Sequence, residues 1–134
     1  MQEIIDRPAK ILTQSQREAY FDYGFIGMEG FVDKQWLERL NKVTNEFVEI
    51  SKTFSAEQKD RRFDVEPDHR IDKPRLRRLN SPADLHEEYW AFASEGPFVD
   101  VAEDLLGPDV KFHHSKLNFK WSGGGEEVKW HQDI

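Results

Sequence analysis

The chain has 134 residues, enough for one domain with a real core and too few for two comfortable ones. Its 26 acidic and 19 basic residues give a formal net charge of −7, a sign that repels a phosphate backbone and argues against nucleic acid as a partner. Zero cysteines exclude disulfides, thiolate metal sites and cysteine nucleophiles, leaving His, Asp and Glu as metal ligands.

No apolar run approaches the ~20 residues of a membrane span, and MQEIIDRPAK lacks the basic segment and apolar core of a signal peptide. The expected location is cytoplasmic, with no membrane partner. With 13% aromatic residues, including four Trp and ten Phe, the chain can bury a core beneath a surface of which 34% charged residues form the bulk.

Thr13-Gln14-Ser15-Gln16 has the form of a capping box, predicting a helix from there to about Asp22, ended by Gly24. FIGMEGF, residues 25–31, reads as a short strand with a glycine-permitted turn, after which Asp33 caps a second helix. Trp36, Leu37, Leu40, Val43 and Phe47 recur at three- and four-residue spacing and mark its buried side. Residues 60–79 mix charges with two prolines and show no sustained period, which reads as a loop. Ser81-Pro82 opens a helix through Leu85, Tyr89 and Phe92, broken by Gly96-Pro97. A further helix carries Phe98, Val101, Ala102 and Leu105 and closes at Gly107 and Pro108.

After Pro108 the pattern changes. DVKFHHSKLNFKW, residues 109–121, is aromatic and β-branched with no helical stripe, and SGGGEE turns the chain into VKWHQDI, so residues 109–134 read as a β-hairpin. The predicted class is therefore α+β within a single domain, residues 1–108 mainly helical and the sheet following the helices.

His131 and Asp133 are two apart, so on a strand their side chains share a face with Cα atoms roughly 6.6 Å apart. A neutral imidazole and a carboxylate so placed can close on one metal, and with a second His they form the facial triad of non-haem Fe(II) oxygenases. By itself the pair is weak, since chance supplies such spacings, and a polar strand face or a simple His–Asp hydrogen bond accounts for it more readily than a metal. If residues 110–120 form one strand, Phe112, His114, Lys116, Asn118 and Lys120 share a face, which puts a lysine within reach of the metal pair. A buried Lys120 needs an anion, such as a co-substrate carboxylate; a solvated one needs nothing.

LTQSQREAYFDYGFIGMEGFVDKQWLERL, VAEDLLGPDVKFHHSKLNFKWSGGG and the terminal WHQD together resemble the phytanoyl-CoA dioxygenase family of Fe(II)- and 2-oxoglutarate-dependent oxygenases. The resemblance implies helices leading into a double-stranded β-helix, the cupin-like jelly roll. It implies that His131 and Asp133 match the first two iron ligands and that Lys120 matches a lysine contacting 2-oxoglutarate. It also implies that Gln132 falls at a position that lines the co-substrate or substrate site in some members, and Asn118 stands on the same predicted strand face as Lys120. The implied activity is hydroxylation of an unactivated C–H bond of a small organic or acyl substrate, with Fe(II), 2-oxoglutarate and O₂.

The family's second His ligand and the Arg that grips the distal carboxylate of 2-oxoglutarate follow His-x-Asp on later strands, and no residue here inherits those roles. The sequence thus reads as the N-terminal part of a longer oxygenase, with unpaired strand edges that favour self-association. Two other readings stay open: a non-catalytic binding module, or another cupin-like metalloenzyme that uses His114 or a partner's ligand.

His113 and His114, adjacent on a strand, are expected to face opposite ways. Lys73, Arg75, Arg77 and Arg78 suit an acidic substrate such as a CoA thioester, but the neighbouring Asp60, Asp64, Glu66, Asp68 and Asp72 favour an ordinary solvated segment. His69 and His86 read as surface residues, and Trp36, Phe47 and Phe98 as core.

Overall fold

A computed structural model describes residues 2–55, 61–125 and 127–131. Six helices and three strands are defined among them: α1 Gln2–Ile5, α2 Gln14–Tyr23, α3 Lys34–Ser51, β1 Phe63–Val65, β2 Leu76–Asn80, α4 Pro82–Leu85, α5 Glu87–Glu95, α6 Phe98–Leu106 and β3 Lys116–Asn118.

The helix boundaries follow local chemistry. Thr13 Oγ1 accepts from the Gln16 N–H at 3.3 Å while Gln16 Oε1 accepts from the Thr13 N–H at 2.9 Å, a complete capping box at the start of α2. Gly24 closes α2 at φ 81°, a left-handed conformation that glycine adopts without a Cβ clash. Asp33 Oδ1 accepts from the Trp36 N–H at 2.8 Å and starts α3.

The strand expected at residues 25–31 does not form. Ile26, Met28 and Phe31 do turn inward and pack with α2 and α6, but no neighbouring strand pairs with this extended segment. Leu37, expected on the buried side of α3, is 47% exposed; the buried stripe is Val43, Phe47 and Ser51 with Leu40 and Val48 beside it.

Residues 60–79 are not simply a loop. β1 and β2 form an antiparallel hairpin inside that stretch, with Phe63 opposite Leu79, Asp64 opposite Arg78 and Val65 opposite Leu76. The jump from Arg78 to Leu76 leaves Arg77 as an extra residue, a β-bulge that breaks the alternation of buried and exposed side chains and hides the strand's period. The order of helices first and sheet afterwards is corrected too, since this hairpin lies between α3 and α4.

The terminal hairpin is likewise revised. Only Lys116–Asn118 is strand in residues 109–121, and β3 pairs antiparallel with β2, Arg78 opposite Asn118 and Leu79 opposite Leu117. Among the described residues after the glycine turn, 127–131, no strand forms. The architecture is a layer of helices against a small sheet of order β1-β2-β3, an α+β arrangement.

One core joins α3, the hairpin and α5 through Val43, Phe47, Phe63, Leu76, Leu79, Ala83 and Tyr89. Leu76 and Leu79 are 0% exposed, and burial of each contributes about 1.5–3 kcal/mol. A second core joins Leu12 to Val101 and Leu105 of α6.

Buried polar groups tie these layers together. The Asp104 carboxylate accepts from three successive backbone N–H groups, those of Lys10, Ile11 and Leu12, at 2.7, 2.9 and 2.9 Å. Burial pushes its pKa up, but those three bonds and the nearby Arg17 guanidinium outweigh burial and hold it below the ordinary value. Arg17 is 2% exposed and donates to the carbonyls of Asp104, Arg7 and Ile4.

Candidate metal and co-substrate site

The sheet has a core face and an open face. Alternation places Phe63, Leu79 and Leu117 toward the helices, which leaves Asp64, Arg78 and Asn118 side by side on the open face. Arg78 Nε donates to Asn118 Oδ1 at 3.3 Å. The Phe119 N–H donates to the Arg77 carbonyl at 2.9 Å and carries the pairing one residue past β3, while Trp121 Nε1 donates to the Leu76 carbonyl at 2.7 Å. These bonds fix the chain on either side of Lys120.

A cleft of about 160 Å³ opens on this face, lined by Arg77, Arg78, Asn118, Phe119, Lys120, Glu127 and Val128. Residues 127 and 128 reach it because the glycine turn folds the chain back. Gly125 adopts φ 122°, which side chains rarely tolerate, and a Cβ there would stand 3.8 Å from both Lys120 Cδ and Glu66 Oε1. The turn therefore passes close to Lys120 and to the buried Glu66.

Two of the predicted co-substrate residues, Asn118 and Lys120, thus share one cleft. His131 is exposed and outside its lining. Its Nδ1 lies 2.7 Å from the Lys129 carbonyl. A carbonyl only accepts, so Nδ1 carries the hydrogen in this contact. Asp133 and Gln132 lie outside the described residues. Among the described residues, no group of three His, Asp or Glu side chains is arranged to hold a metal ion.

Two of the other histidines, His69 and His86, hold the fold. His69 is 6% exposed, not a surface residue; its Nδ1 accepts from the Arg75 N–H at 2.8 Å, so Nε2–H donates to the Ser51 carbonyl at 2.9 Å, tying the hairpin to the end of α3. His86 is half-buried and caps α5, its Nδ1 accepting from the Glu88 N–H at 3.1 Å. His113 and His114 do not face opposite ways: with no strand at residues 111–115, their Nδ1 atoms meet at 2.7 Å. The strand that was to align His114 with Lys120 begins only at Lys116.

The basic cluster divides. Arg75 is 9% exposed, its Nε 3.1 Å from Asp68 Oδ2, and Arg77 reaches Asp64 Oδ2 through Nε at 3.0 Å and Nη2 at 2.7 Å. Arg78 forms no ion pair with a described carboxylate. A sequence reading that treats residues 60–79 as solvated misses that Arg77 and Arg78 enter the cleft; the available signal is LRRLN itself, two arginines flanked by leucines.

The profile of the phytanoyl-CoA dioxygenase family matches residues 20–134. The chain belongs to that family. It is 26% identical over 124 residues to a protein of Stutzerimonas stutzeri named as a probable alpha-ketoglutarate-dependent hypophosphite dioxygenase, covering 92% of this chain and 42% of the relative. It is 31% identical over 73 residues to the ectoine dioxygenase of Sphingopyxis alaskensis, covering 52% of this chain and 24% of that protein. The chain therefore spans less than half the length of these curated relatives. No solved structure gives a significant match. Among the described residues no helix is long and apolar enough to cross a membrane.

Proposed function

We propose that this chain carries the opening part of an Fe(II)- and 2-oxoglutarate-dependent oxygenase site, used to hydroxylate a small molecule. The observation that carries the reading is the family match, which runs through residue 134 and so includes both Lys120 and the His131–Asp133 pair. In this reading the three strands begin a jelly roll within a single domain, residues 1–134, and the open face of the sheet becomes the wall of the site.

His131 and Asp133 are the metal ligands. In this reading the backbone carbonyl of Lys129 anchors His131 through Nδ1–H, the kind of outer contact that orients a ligating imidazole, and the Asp133 carboxylate supplies charge to a hard divalent ion. Lys120 sets an ammonium toward a carboxylate of 2-oxoglutarate, Asn118 adds a neutral hydrogen-bonding amide beside it, and Gln132 lines the same site. When bound, iron with 2-oxoglutarate and O₂ supplies the oxidising power; the protein supplies position, charge and exclusion of water.

An anaerobic titration of the chain with Fe(II) and 2-oxoglutarate tests this, following the visible charge-transfer absorption of the chelated complex. A band should form and vanish in His131→Ala, and Lys120→Ala should weaken the dependence on 2-oxoglutarate while leaving Fe(II) binding intact. A band that persists in His131→Ala sinks the ligand assignment.

A further inference from the structure

The proposed site has a charge pattern that its assigned residues do not use. Three cations, Arg77, Arg78 and Lys120, and one carboxylate, Glu127, line the cleft. Arg77 is neutralised at 2.7 Å by Asp64 and is held by two bonds to a single oxygen. Lys120 is assigned to the co-substrate. That leaves Arg78.

Arg78 is half-buried, and among the described residues its Nε meets a neutral acceptor, Asn118 Oδ1 at 3.3 Å, with no carboxylate in ion-pair range. A guanidinium has five N–H donors in a planar fork, and its cross-strand neighbour Asp64 is turned to Arg77, so the partly buried Arg78 fork is left without a direct ion pair to a described carboxylate. The bulge at Arg77 makes this costly arrangement: with regular alternation Arg77 would turn to the opposite face from Arg78, whereas the extra residue lets both arginines line one cleft. The cleft is small, about 160 Å³, so it suits a compact group rather than a long chain.

We infer that Arg78 is a substrate-binding residue whose guanidinium fork takes a compact oxyanion, a carboxylate or a phosphorus oxyacid, beside the co-substrate position of Lys120. The inference rests on the reading of the open face as the site wall and sharpens it by naming an anionic substrate class. Planar fork geometry matches two oxygens of one such group, which a lysine at the same place does not. Glu127 at the rim favours a singly charged anion over a multiply charged one.

The test is isothermal titration of the full chain at about pH 6 with inorganic phosphate, there mainly a singly charged anion, and, separately, with 2-oxoglutarate, with far-ultraviolet circular dichroism confirming the fold of each variant. Arg78→Gln should weaken phosphate at least ~tenfold, the size of one lost charge-assisted interaction, and weaken 2-oxoglutarate less than ~threefold. Arg78→Lys, which keeps the charge and loses the fork, should fall between wild type and Arg78→Gln for phosphate, and it serves if the glutamine variant does not fold. Lys120→Gln should give the reverse ranking. Phosphate binding that is absent in the wild type, or unchanged in both Arg78 variants, overturns the inference. So does an equal loss of both ligands, which would make Arg78 a co-substrate residue. If Lys120→Gln leaves 2-oxoglutarate unaffected, the co-substrate assignment fails instead, and the Arg78 result on phosphate still stands by itself.

Discussion

The two faces of the sheet are built from the same five-residue strand and do opposite work. Toward the helices β2 presents Leu76 and Leu79, both fully buried; away from them it presents Arg77 and Arg78 to an open cleft. The core face owes its position to apolar area removed from water, a non-directional force that fixes where the sheet lies. The open face contributes little to that and keeps charged donors partly desolvated, a cost tolerated at sites that recognise something. If the open face is the proposed recognition surface, stability and recognition are separated across one strand's thickness, and substitutions on the two faces should separate in the same way.

The largest effect belongs to the core face. Leu79→Ala removes a side chain with 0% exposure and should destabilise the chain by about 2–5 kcal/mol, read as a lower urea midpoint at unchanged slope. A loss below ~1 kcal/mol would mean that the hairpin is not part of the cooperative core.

Next comes a buried charge that stabilises, in contrast to the open-face cations. Asp104→Asn keeps the shape but gives up charge-assisted bonds to the Lys10, Ile11 and Leu12 N–H groups, and should cost ~2–3 kcal/mol. The pH dependence has a definite sign. The folded-state pKa of Asp104 lies below the ordinary 3.8, so its contribution is fully present above that value and is lost as pH falls through the folded value. Urea midpoints between pH 6 and ~2.5 should therefore decline less steeply in Asp104→Asn than in the wild type. Parallel pH profiles would remove Asp104 from the account of acid sensitivity.

What the sequence made legible divides along the same lines. Elements specified by near neighbours could be read directly: the Thr13–Gln16 capping box, Asp33 at the start of α3, and glycines at positions 24 and 107 as helix ends. Elements specified by distant partners could not. Ser81 was expected to cap α4, yet it sits at φ 54° with no side-chain cap, and Ser115 Oγ accepts from the Ala83 N–H at 3.2 Å instead. The partner of β3 is β2, some forty positions away, where a local reading pairs it across the glycine turn. The hairpin at residues 63–80 was hidden by the bulge, which places Arg77 and Arg78 on one side and defeats a count of alternating residues. Of the proposed site, His131, Asp133, Lys120 and Asn118 were named from chemistry, spacing and family resemblance, and of these the structure brings only Asn118 and Lys120 to one cleft; Arg78 was not singled out, because its significance depends on Arg77 having a carboxylate in ion-pair range where Arg78 has none among the described residues.

The smallest effect tests that distinction. Arg77 and Asp64 form a half-exposed pair, with side-chain exposures of 34% and 32%, and such pairs are worth at most ~1 kcal/mol and weaken with salt. Asp64→Asn should therefore shift the urea midpoint only slightly. Its consequence for charge is larger than its consequence for stability, because it removes a carboxylate beside a cleft lined by Arg77, Arg78 and Lys120. The open face then gains one positive charge, and phosphate should bind more tightly in Asp64→Asn than in the wild type, by a factor of a few at low ionic strength and by less at 0.5 M salt. A tighter site on a barely changed fold is what a recognition face predicts. If Asp64→Asn instead unfolds the chain while leaving the affinity of the folded fraction unchanged, the ion pair belongs with Leu79 and Asp104 among the groups that hold the sheet in place, and the separation between the two faces fails at that residue.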